Sequence, residues 1–120
     1  MALVAHHITF LAPGASPDDV RRFYQEGLGL ASVPTPPSLA HYPVLWFAAG
    51  PIMLHVSYPT EGVVGDGHAA LAADDVEAAR AHLSSMGYAV EADTIPMGYP
   101  RFFVRDPWGN LFEILPNGLP

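Results

Sequence analysis

Apolar and polar positions along this chain change period several times, and the changes mark out its elements. Residues 4–11 are rich in β-formers and read as a strand. Ser16-Pro17-Asp18-Asp19 then announces a helix, with Ser as N-cap, Pro in the first turn and acids where the helix dipole favours them. Val20, Phe23 and Tyr24 recur at helical spacing, and Gly27 is placed to cap the C-terminal end. Pro34, Pro36 and Pro37 break the chain into a loop. Residues 45–48 and 52–57 read as strands on either side of a Gly50-Pro51 turn.

After a glycine-rich loop the plan starts again. Residues 68–72 read as a strand, and Asp74 or Asp75 caps a second helix to about Met86, with Glu77 able to close a capping box on Asp74. Gly87 ends that helix, residues 88–92 follow as a strand, and residues 101–104 and 111–115 form a hairpin. Its turn, Asp106-Pro107-Trp108-Gly109, has Asp first, Pro second and Gly last, as a type I turn prefers. Each half therefore reads strand, helix, then two or three strands. His7 opens the first half and His68 the second, 61 positions apart, while His55 and Glu113 close them, 58 apart. The pattern predicts an α+β fold of 120 residues in two βαβββ modules, 1–60 and 66–120.

Composition narrows the function. Half the residues are apolar and 14% are charged, which predicts a packed domain and not a disordered chain. The net charge of −7 with five Lys plus Arg argues against nucleic acid and anionic membranes as partners. No apolar run approaches the roughly 18 residues of a membrane helix. MALVAHHITF carries no basic region or cleavage site of a secretory signal, and there are no cysteines, so the cytoplasm is the expected compartment. Six histidines against five Lys plus Arg direct attention to imidazole chemistry.

Glu113 poses the sharpest question. It sits in an otherwise apolar strand, Leu111-Phe112-Glu113-Ile114-Leu115. A lone carboxylate buried there costs several kcal/mol unless it is paired, protonated or bound to a cation. With few basic residues available, a divalent metal held by neutral histidines and Glu113 is the expected solution. Arg101 is a candidate for holding an anionic group, and Trp46, Phe47, Phe102, Phe103 and Trp108 are core or pocket-wall candidates. His6 is expected to point away from His7.

The two-fold βαβββ pattern, His7-Ile8-Thr9-Phe10, the stretch FYQEGLGL and the hairpin DPWGN…Glu113 together resemble the vicinal oxygen chelate superfamily, over nearly the whole chain. This superfamily includes glyoxalase I, extradiol dioxygenases, fosfomycin-modifying enzymes and bleomycin-resistance proteins. The resemblance implies curved sheets forming an open mixed β-barrel around a cavity, and assembly as a homodimer. It implies metal ligation by His7, His68 and Glu113, with His55 where glyoxalases carry a fourth ligand, usually Glu. One divalent ion (Zn, Ni, Co, Mn or Fe) would then chelate a small substrate, with Glu113 and His55 as catalytic residues. Thr9, Arg101 and Phe103 are the substrate-binding candidates; Thr9 matches a threonine of the fosfomycin-modifying branch, and Phe103 stands where that branch has tyrosine. The function expected is a small metal-dependent enzyme, a lyase, isomerase or dioxygenase. Its alternative is a metal-free drug- or metabolite-binding protein.

Overall fold

The doubled pattern folds as two units, Met1–Val64 and Gly65–Pro120, in a computed structural model that describes residues 5–65, 68–92 and 98–117. In the first unit, β1 (His7–Leu11) leads through Ser16 into α1 (Pro17–Arg21), which widens into a π-helical segment, Arg22–Gly27. β2 (Ala31–Val33), a 3₁₀ turn at Pro37–Leu39, β3 (Val44–Ala49) and β4 (Ile52–Ser57) complete it. The sheet order is β1-β4-β3-β2, with β1 parallel to β4 and the remaining pairs antiparallel.

Strand alternation sorts its side chains. Phe10, Phe47, Leu54 and Val56 lie on one face and are buried together with Val20, Phe23 and Tyr24 of the helix. The Tyr24 and Phe47 rings stack with centroids 5.5 Å apart. Each such side chain, taken fully from water, contributes about 1.5–3 kcal/mol. His7, Thr9, Trp46, Met53 and His55 share the opposite face.

The second unit repeats the plan with β5 (His68–Ala73), α2 (Val76–Ser85), β6 (Val90–Ala92), β7 (Phe102–Arg105) and β8 (Leu111–Pro116). Its sheet order, β5-β8-β7-β6, matches the first, again with one parallel pair, β5 with β8. Ala69, Phe102, Val104, Phe112 and Ile114 are buried together with Val76 and Leu83 of α2. The Arg80 guanidinium covers the Phe102 ring at 5.4 Å. Each sheet is four-stranded and open, with β1 and β2 as edges of the first and β5 and β6 as edges of the second, so neither closes on itself.

Several expectations are corrected. β2 is a strand where only a loop was expected; its three residues carry a single large apolar side chain and lie just before the proline run. Gly27 does not cap the first helix. It is buried inside the π-helical segment, Leu28 is the C-cap, and Gly29 takes the left-handed backbone at φ +70°. The capping box on Asp74 does not form. Asp75 is the N-cap, accepting from the Ala78 N–H at 2.9 Å, while Asp74 accepts from the Asn117 side chain at 3.1 Å. Of the expected first strand, Val4 lies outside the described residues.

The β7–β8 turn forms as expected. Gly109 N–H donates to Asp106 O at 3.1 Å, and buried Asp106 Oδ1 accepts from the N–H groups of Trp108 and Asn110 at 3.0 and 2.8 Å. This turn fixes the register that puts Glu113 opposite Phe103.

Candidate functional site

Register decides which polar side chains meet. In the first sheet Thr9 pairs with His55, and His55 pairs with Trp46, so one row runs across β1, β4 and β3. His7, two residues ahead of Thr9, leans onto the same row. The rings stack: Trp46 on His55 at 4.3 Å and 5°, then His55 on His7 at 4.0 Å and 15°. β1 is the edge of this sheet and His7 is exposed, so within this unit His7 ends the stack.

His6, contrary to expectation, turns toward His7. Their Nδ1 atoms are 2.9 Å apart, one donating and the other accepting. His6 precedes the strand, so strand alternation does not govern it. Burial pushes the His55 imidazole below its ordinary range, assisted by the nearby His7 and His6. His55 is therefore neutral at pH 7, and its Nε2 is buried without a hydrogen-bond partner.

In the second sheet the equivalent row is Ala70, Glu113 and Phe103. Here Arg101 reaches across from just before β7, and its Nη1 donates to Glu113 Oε2 at 2.5 Å. The two side chains are only 10% and 12% exposed. The Arg101 guanidinium also lies over the Phe103 ring at 5.2 Å, and His68 meets the same ring edge-on at 6.2 Å. His68, Phe103, Arg101 and Glu113 thus form one cluster on one face of one sheet.

The positive partner of Glu113 is therefore a side chain of the same unit. The arginine was visible in sequence as a candidate anion holder. Its pairing was not, because Arg101 lies outside the strand and reaches diagonally along the hairpin. Trp46 is the other residue that sequence reasoning left among core or wall candidates. A signal for it exists: the two-residue Gly50-Pro51 turn pairs Ala49 with Ile52, and counting back along the hairpin puts Trp46 opposite His55.

Whether these residues fit a divalent ion can be tested on their geometry. A metal lies in the plane of each imidazole that binds it, at about 2.0–2.1 Å from nitrogen. The His7 and His55 planes, stacked and inclined by only 15°, do not meet at such a distance. The Glu113 oxygen nearest a cation is already on Arg101. Among the described residues of either unit, no three His, Asp or Glu side chains converge as a metal-binding group. Within each unit, then, the donors have the right chemistry for a metal but are not gathered around one point.

The family model described as "Glyoxalase/Bleomycin resistance protein/Dioxygenase superfamily" matches residues 5–114. The chain belongs to this superfamily. Among solved structures, a glyoxalase family protein from Bacillus anthracis is 25% identical, with a TM-score of 0.87 and coverage of 98% of this chain and 97% of that one. Lactoylglutathione lyase from Agrobacterium tumefaciens is 24% identical (TM-score 0.72, 95% and 93% covered). TnmS3, an antibiotic binding protein from Streptomyces sp. CB03234, is 22% identical (TM-score 0.71, 97% and 98% covered). The last two similarities are of fold alone. No functionally curated protein matches the chain in sequence. One glyoxalase-superfamily fold thus serves both a lyase and a binding protein at nearly equal likeness to this chain, and fold cannot choose between them. No helix among the described residues is long and apolar enough to cross a membrane.

Proposed function

We propose that this glyoxalase-superfamily protein binds a planar small molecule without a metal. The observation that carries this reading is the Trp46–His55–His7 stack. Three flat rings lie in one row, the middle one neutral, and the row ends on an exposed imidazole at a sheet edge. A planar aromatic ligand extends such a stack, with a gain of about 0.5–1.5 kcal/mol beyond area burial. The charge of −7 favours a cationic ligand. Thr9, exposed on the same face, supplies a hydrogen-bonding group beside the rings.

The test is a titration of EDTA-treated protein with 9-aminoacridine, following Trp46 emission in a Trp108→Phe background. Saturable quenching is expected, weakened about 2–10-fold by His7→Ala and preserved by His7→Phe, since phenylalanine stacks but cannot ligate. Binding that appears only when a divalent ion is added back overturns this reading. So does the absence of saturable quenching.

The second reading is the metal-dependent enzyme, with His7, His68, Glu113 and His55 as ligands and Arg101 and Phe103 contacting substrate. The buried, unpartnered His55 Nε2 favours it, being the kind of atom a divalent ion satisfies. Against it, the metal reading requires the His7 ring to turn and Glu113 to leave Arg101. Elemental analysis of protein purified without chelator or His-tag separates the readings.

A further inference from the structure

The expected carboxylate ligand and the observed ion pair disagree, and the disagreement is informative. We infer that Arg101 is a resident counter-ion that withholds Glu113 from metal, and that the second unit becomes a divalent-cation site when this guanidinium is removed. This rests on the metal-free reading above, but on a different unit and a different set of contacts.

Four observations carry it. Glu113 is the buried acid on the His68 face of this sheet, its side chain only 12% exposed, so it needs a positive partner, whereas Glu91 on the same face is solvated and reaches Arg105. Arg101 supplies one at 2.5 Å while itself nearly buried, so the pair is not a solvated surface contact. The arginine is held from a second side by the Phe103 ring, which also fixes the direction of its fork. His68 lies on the same face as Glu113, two residues ahead of Ala70, the neighbour of Glu113 on β5.

With Arg101 in place, a divalent ion approaching Glu113 meets a like charge at contact distance. With a neutral side chain there, the buried carboxylate is left uncompensated beside an imidazole, a carboxylate and nitrogen pair of the kind divalent zinc accepts. The unit carries no other described arginine or lysine that contacts Glu113.

The experiment compares wild type, Arg101→Met, Glu113→Gln and the double variant, with zinc ion alone as probe. Affinity is read by competition with a chromogenic chelator, and melting temperature is read with and without zinc. Arg101→Met is expected to bind zinc at least about tenfold more tightly than wild type and to gain melting temperature from it, both lost in the double variant. Glu113→Gln in the wild-type background is expected to leave the weak zinc isotherm unchanged, because that carboxylate is already taken. This last comparison holds even where Arg101→Met fails to fold. No gain in Arg101→Met overturns the inference, as does a gain that survives Glu113→Gln, or a wild-type affinity that Glu113→Gln weakens. The acridine titration reads the other unit, so a protein that binds no acridine yet shows the Arg101-dependent gain fails the functional reading alone.

Discussion

Breaking the Arg101–Glu113 pair one side at a time, and then both together, tests the central contact of the second unit. Both side chains are about nine-tenths removed from water and their nearest atoms are 2.5 Å apart. Removing one partner of such a pair leaves the other charge buried and unpaired, a loss of about 3–5 kcal/mol. The residual exposure of both side chains places the expected cost at about 3 kcal/mol for Arg101→Met or Glu113→Leu. Replacing both at once, as Arg101→Met with Glu113→Leu, leaves no charge behind and is expected within about 1 kcal/mol of wild type, since apolar substitutes for buried pairs are often neutral. The coupling between the sites, the two single losses less the double, is then about 5 kcal/mol or more, within the range for close charge pairs. For a chain of this size 1 kcal/mol moves the melting temperature by about 3–5 °C, so each single variant drops it by about 10–15 °C. The two units require separate reporters, and the sequence provides them: of its two tryptophans, Trp46 belongs to the first unit and Trp108 to the second. Urea unfolding followed by Trp108 emission in a Trp46→Phe background isolates the relevant transition. Single losses that simply add in the double variant would refute the pairing, and with it the inference drawn from it.

Two further outcomes follow from the same contacts. The His55 imidazole is held below the ordinary histidine value of 6.5 by burial and by its neighbours His7 and His6, so the unfolded chain takes up a proton more readily than the folded one. Stability is therefore full above pH 6.5 and declines as pH falls below it toward the folded-state value, and His55→Phe should flatten this decline in chemical denaturation across pH 5 to 7.5; an unchanged slope would show that His55 does not couple to folding. Asp106 accepts from two backbone N–H groups and from the Asn110 side chain at 2.7 Å, all within the β7–β8 turn, so Asp106→Ala should cost about 2–4 kcal/mol, and a loss below about 0.5 kcal/mol by urea unfolding would mean the turn is held by other means.

What sequence could reveal here followed period and spacing. The doubled order of elements, the apolar faces and the Asp106–Gly109 turn all depend on neighbours along the chain, where alternation and turn chemistry act directly. β2 was not legible because Ala31, Ser32 and Val33 offer no alternation long enough to read, and pairing with β3 makes them a strand. The first helix ended two residues later than its glycine suggested, because a π-helical turn absorbs Gly27 and leaves the left-handed position to Gly29. In the candidate site, the need of Glu113 for a positive partner was legible from its apolar flanks. The partner's identity was not: a metal and an arginine answer the same electrostatic demand, and only the diagonal reach of Arg101 distinguishes them.

The internal repeat explains why the two faces differ. His7 corresponds to His68, Thr9 to Ala70, Trp46 to Phe103 and His55 to Glu113, each pair in the same register of its own sheet. Both units place an aromatic ring directly across from the closing polar residue. The residue two positions before that ring is Val44 in the first unit and Arg101 in the second. The guanidinium therefore occurs in the unit that has the acid, and an apolar side chain in the unit that has the imidazole. A neutral imidazole needs no counter-ion and can stack on Trp46, whereas a carboxylate at the same place cannot stay ionised without one. On this argument, arginine and glutamate are one device and the three stacked rings are another. Loss of the first should alter cation binding, and loss of the second should alter the recognition of a flat ligand.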